Sequence, residues 1–145
     1  MKAILIHLVW LLLICIMVVF QNLMAAKRNG FPEEPTKKNR IAYLENNATT
    51  YACNGKALEI VTSDAEFNIT GHCSYLAIYG PNSKIRADSV HVLRVSGPDS
   101  KVIVNAVNYI GVTAPDSKVY YGRGLYSSKP IKVVVHGPNS IAQRR

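Results

Sequence analysis

From residue 53 onward, apolar and polar positions alternate over three or four residues, break, and resume in the same order. The stretch from Lys84 reads "KIRADSVHVLRVSGPDS" and the next reads "KVIVNAVNYIGVTAPDS". Laid one over the other, they give columns of like residues: Ile85, Val102 and Val119; Ala87, Val104 and Tyr121; Val90 and Val107; Leu93, Ile110 and Val133; Val95, Val112 and Val135. Phe67, Ile69, Cys73, Leu76 and Ile78 fit the same columns one lap earlier, and Leu58 with Ile60 begin the lap before that. Period-two alternation rich in valine, isoleucine and tyrosine specifies strands, and no helical stripe is sustained after residue 52.

A turn phrase punctuates the laps. "GPNSKI", "GPDSKV", "APDSKV" and "GPNSI" open at Gly80, Gly97, Ala114 and Gly137, so two laps take 17 residues and the last takes 23. A fixed period of this size marks stacked repeats. The pattern predicts an all-β fold: a single short parallel β-solenoid of about five rungs over residues 53–145, with neighbouring rungs ~4.8 Å apart. Glycine or alanine opens each corner, proline fixes φ, and Asn82, Asp99, Asp116 or Asn139 takes the position that tolerates tight backbone angles. These turn residues are read as scaffold. Stacked Asp99 and Asp116 repel by only ~0.8 kcal/mol in water, which Lys101 and Lys118 can offset. A calcium ion between them would have few carboxylates and none of the usual loop pattern, so no metal or cofactor is expected.

The ends set the compartment. Lys2 precedes an apolar run over residues 3–20 and the small residues Ala25 and Ala26, the layout of an export signal, with cleavage expected after 25 or 26. The run is also long enough for an uncleaved membrane anchor, the only membrane contact the sequence suggests. Residues 27–52 are polar and proline-bearing and read as a linker, with Ile41 to Leu44 as a docking cap. Cys53 and Cys73 are the only cysteines beyond the signal, and an exported pair points to a disulfide ahead of a metal site or nucleophile. The formal net charge of +8 favours anionic partners without naming one.

The stretch from Cys53 through "CNGKALEIVTSDAEFNITGHCSYLAIYGPNSKIRADSVHVLRVSGPDSKVIVNA" to "KPIKVVVHGPNSI" resembles the bacterial family called domain of unknown function 3060. The shared features are two cysteines about 20 residues apart, valine-rich alternation and repeated glycine-asparagine turn phrases behind a secretion signal. Proline inside the phrases, Ala114, Asp99 and Asp116 depart from the family's usual text. The resemblance implies a repeat architecture and export. It carries over no activity and no site residue.

Candidate chemistry is sparse. His72, His91 and His136 fall in different columns and rungs, and Asp64, Glu66 and Asp88 are scattered, so the paired carboxylates of a polysaccharide-cleaving enzyme do not converge. Lys84, Lys101 and Lys118 share one column and form a basic stripe suited to an anionic polymer, or simply a solvated face. The extra residues of the last lap, within "YYGRGLYSSKP", bring Tyr120, Arg123, Tyr126 and Lys129, and a loop that interrupts a repeat is a candidate for binding or for capping the last rung. Tyr75, Val92 and Tyr109 precede a buried column and are expected to face outward. The sequence therefore reads as an exported, non-catalytic binding or structural module of the bacterial envelope, periplasmic, secreted or membrane-anchored. Its expected partner is an anionic glycan or envelope polymer or an envelope protein, with no specific nucleic-acid signal. The alternatives are an envelope enzyme acting on polysaccharide and an adaptor that uses the solenoid edge.

Overall fold

The computed structural model describes Pro32, residues 40–43 and residues 49–145, with the backbone alone described at 40–43 and 49. The segment read as a signal and most of the linker lie outside the described residues. Pro32–Arg145 form one compact unit, and its described residues contain strands and turns without helix.

The strands are β1 (Arg40–Tyr43), β2 (Thr49–Ala52), β3 (Ala57–Ile60), β4 (Glu66–Ile78), β5 (Lys84–Val95), β6 (Lys101–Val112), β7 (Lys118–Arg123), β8 (Lys132–Val135) and β9 (Ile141–Arg144). Every pairing is parallel. Thr49 lies opposite Phe67, Phe67 opposite Ile85, Ile85 opposite Val102 and Val102 opposite Val119, giving four turns of a parallel β-solenoid. Val119 then lies opposite Ala142, a step of 23 residues that absorbs the insertion. The patch read as a cap supplies β1, whose backbone pairs with β3.

Two strand stacks result, because β4, β5 and β6 are long and turn a corner midway. One stack runs β2, the first parts of β4, β5 and β6, then β7 and β9. The other runs β1, β3, the second parts of β4, β5 and β6, then β8. Between the stacks the columns read from the sequence become ladders of touching side chains: Phe67, Ile85, Val102 and Val119 are all at most 2 % exposed, as are Leu58, Leu76, Leu93 and Ile110. Each such side chain contributes about 1.5–3 kcal/mol relative to exposure, which no short hydrogen-bonded strand could supply alone. One lap carries an additional residue where the register shifts between Ile69 and His72. The bulge falls at Gly71, whose φ of 75° suits glycine, and its N–H donates to Asp88 Oδ2 at 3.1 Å.

The turn phrase now has a physical reading at each letter. Asn82, Asp99, Asp116 and Asn139 have φ of 53–55°, in the left-handed region. In the first three that conformation turns the N–H toward the next coil: Asn82 N–H donates to the Pro98 carbonyl at 3.0 Å, Asp99 to Pro115 at 3.2 Å and Asp116 to Pro138 at 3.0 Å. Asp64, at φ 54°, donates to Pro81 at 2.9 Å, so Thr62–Asp64 is a further copy of the corner without glycine or proline. The opening glycines serve close approach. A Cβ on Gly97 would overlap the Gly80 carbonyl, and one on Gly137 would overlap that of Ala114. Ala114 stands in this column with its methyl buried, and nothing in the structure explains why its coil admits one.

The fourth letter is serine, and it forms an internal ladder. Ser83, Ser100 and Ser117 are at most 1 % exposed. The Ser83 N–H donates to Ser100 Oγ at 3.3 Å, the Ser100 N–H to Ser117 Oγ at 3.2 Å and the Ser117 N–H to Ser140 Oγ at 2.9 Å. Each hydroxyl in turn donates to a corner carbonyl, Ser83 to Gly80 at 2.9 Å and Ser140 to Ala114 at 2.7 Å. Burying a peptide N–H without a partner is costly, so the hydroxyl is what permits so tight a corner.

Candidate functional site

The outer face of the first strand stack carries columns of polar and charged side chains. Strand alternation sends Phe67, Ile85 and Val102 inward, so the residues beside them face solvent. Glu66, Lys84, Lys101 and Lys118 line up in register, one per rung, which confirms that the three lysines are neighbours at roughly 4.8 Å spacing. The next outward column holds Asn68, Arg86, Ile103 and Tyr120. Lys101 Nζ lies 5.9 Å from the centre of the Tyr120 ring, a cation–π distance that holds the lysine over the face.

Three shallow depressions share these residues. One of about 270 Å³ is lined by Glu66, Asn68, Lys84, Arg86, Lys101 and Ile103. A second, about 260 Å³, adjoins it through Asn68, Arg86 and Ile103 and adds Asp88, Asn105 and Arg145. A third of about 340 Å³ shares Glu66, Lys84 and Lys101 and reaches the corner residues Asp64, Asn82 and Asp99. Arg145 is drawn in from the last strand, its Nη2 donating to Asn105 Oδ1 at 3.0 Å. The result is a continuous furrowed face with cations along its middle, carboxylates at its margins and amides between. It can meet charged groups and hydroxyls along an extended ligand.

Sequence reasoning found the lysine column and Tyr120. It missed Arg86, Asn68, Asn105 and Arg145. Arg86 was within reach, two residues beyond Lys84 and thus on the same strand face. Arg145 was not, because its bond to Asn105 spans 40 residues.

The remaining candidates gather elsewhere. Arg123 pairs in register with Ala106 at the corner between the stacks and is exposed. Tyr126 is 49 % exposed, with Lys129 Nζ 6.0 Å from its ring centre. The inserted loop is anchored at its start: the Leu125 N–H donates to Asn108 Oδ1 at 3.0 Å, and Asn108 is itself buried. His91 joins this group, its ring 5.4 Å from that of Tyr109 and 6.1 Å from that of Tyr126. Burial, then His72 and Lys129, lower the His91 pKa below its ordinary 6.5. Tyr75 and Val92 are buried at 2 % and 3 % exposure, which corrects the expectation of an open aromatic face. On that side of the strands they neighbour Ala57, Ala77 and Gly111 together with Glu59 and Arg94, a mixed surface and not an aromatic one.

Cys53 and Cys73 form the expected disulfide, with Cα atoms 5.2 Å apart across neighbouring coils. The bond suits an oxidising, exported environment. Among the described residues no three histidine, cysteine or acidic side chains converge as a metal site, and no helix is long and apolar enough to cross a membrane. No curated protein and no solved structure matches this chain. The model of the family described as "Protein of unknown function (DUF3060)" matches residues 60–110, and over those coils, which carry Lys84, Arg86 and Lys101, the chain is similar to that family.

Proposed function

We propose that this protein is a non-catalytic binding module of the bacterial envelope that holds a linear anionic polymer along the outer face of its first strand stack. The observation that carries the reading is the in-register column of Lys84, Lys101 and Lys118, with Arg86 beside it in one furrowed surface. A rigid solenoid fixes cations at the rung repeat, so a polymer bearing regularly spaced charges meets several at once without ordering a loop. Asn68, Asn105 and the marginal carboxylates supply hydrogen bonds to hydroxyls, which favours an acidic glycan over a bare polyphosphate. Export is supported by the disulfide and by the apolar run at residues 3–20, which lies outside the described residues.

Binding of polygalacturonate, inorganic polyphosphate and neutral dextran, followed by calorimetry at several salt concentrations, tests this. The acidic glycan should bind with salt-sensitive affinity and dextran should not. Each lysine at an anionic surface is worth about 1 kcal/mol, so replacing all three by glutamine should weaken binding by about two orders of magnitude. Equal binding by the triple variant would remove the proposal, and preference for polyphosphate would reassign the ligand class.

A further inference from the structure

The inserted loop of the last turn is fastened by a hydrogen-bond chain whose direction is fixed. A backbone N–H can only donate, so the Leu125 N–H at 3.0 Å requires the oxygen of the Asn108 amide to face it. The other end of that amide is then an NH2 group, a donor, and it lies 3.2 Å from His91 Nδ1. His91 Nδ1 must accept, so it carries no proton and the neutral ring holds its proton on Nε2. Asn108 is 3 % exposed and has little water to turn to. Protonating His91 places N–H against NH2, two donors face to face.

We propose that His91 is a pH-sensitive latch: neutral, it holds Asn108 in the orientation that clamps Leu125, and protonated, it releases the loop from Gly124 to Pro130. Burial, His72 and Lys129 all disfavour a charged His91, while Tyr109 and Tyr126 contact the ring. His72 comes from β4, Lys129 and Tyr126 from the loop and Tyr109 from β6, with no carboxylate among them to stabilise an imidazolium. Lys129 in particular is carried by the loop that the latch holds. Its ammonium, held against the Tyr126 ring, moves away from a newly charged His91 when the loop opens. The surface altered by opening is that of Tyr126, Lys129 and His91, separate from the lysine column, so this inference does not depend on the proposed function.

Two measurements on the full chain decide it. Nitrogen chemical shifts of His91 at pH 7.5 should show the Nε2–H tautomer, and an Nδ1–H tautomer would overturn the proposal. Hydrogen exchange at Leu125 and through residues 124–130, normalised for the intrinsic pH dependence of exchange, should be roughly three- to tenfold faster at pH 5 than at pH 7.5. In His91→Gln, whose side-chain carbonyl accepts from Asn108 but takes no proton, protection should persist at both pH values. Equal protection of the native chain at pH 5 and 7.5, or an undiminished pH response in the glutamine variant, refutes the latch.

Discussion

The serine ladder makes the sharpest demand on stability. In Ser117→Ala the hydroxyl that receives the Ser100 N–H at 3.2 Å disappears, and so does the donor shared between the carbonyls of Gly97 and Pro115, each at 3.1 Å. Both serines are at most 1 % exposed, so water cannot replace the lost partner without opening the corner. An orphaned buried N–H costs about 1–3 kcal/mol and the lost hydroxyl bond about 0.5–1.5 kcal/mol, giving about 1.5–4.5 kcal/mol together. Urea unfolding of the disulfide-intact protein should show a lower midpoint at unchanged slope, and heating should show a melting temperature at least about 6 °C lower. Ser96→Ala is the matched control. Its hydroxyl meets only Thr113 Oγ1 at 3.0 Å near the surface, and its loss should cost less than about 0.5 kcal/mol. If Ser117→Ala stays within 0.5 kcal/mol of the native chain, or costs no more than the control, the ladder is not what holds the corners.

Replacing Cys53 and Cys73 by serine should destabilise by about 3 kcal/mol, because the bridge closes a separation of 20 residues, and denaturant curves with and without reductant will show it. Thiol titration of the unfolded, unreduced protein should find neither of these two sulfurs free. Stability should fall as pH drops below the ordinary 6.5 of histidine: the unfolded chain takes up its proton first, and the loss is complete once the pH has passed the lowered folded value of His91. The slope should be shallower in His91→Gln, by the contribution of this one ring. Replacing Arg123 and Tyr126 by alanine should leave thermal stability nearly unchanged, since Arg123 is exposed and Tyr126 is half exposed; a drop of several degrees would assign the loop a capping role.

The solenoid was legible in the text because coils of equal length stack equivalent positions. Apolar letters 17 or 18 apart name the buried ladders directly, and Val95 opposite Val112 is such a pair. Lysines at the same interval named the charged column for the same reason, and two cysteines little more than one lap apart named the bridge. Other features had no letter that distinguished them. Serine in the turn phrase looks like any loop serine until a neighbouring coil presents its N–H, and Asp64 opens no recognisable phrase yet takes the same left-handed turn. The furrowed face needed the fold to bring Arg145 to Asn105, and the latch needed it to fix which end of Asn108 faces His91. Repetition along the chain determined the lap length and which residues stack. The direction of hydrogen bonds between laps, and the meeting of residues from unequal laps, depend on three-dimensional approach, and only the tertiary structure decided them.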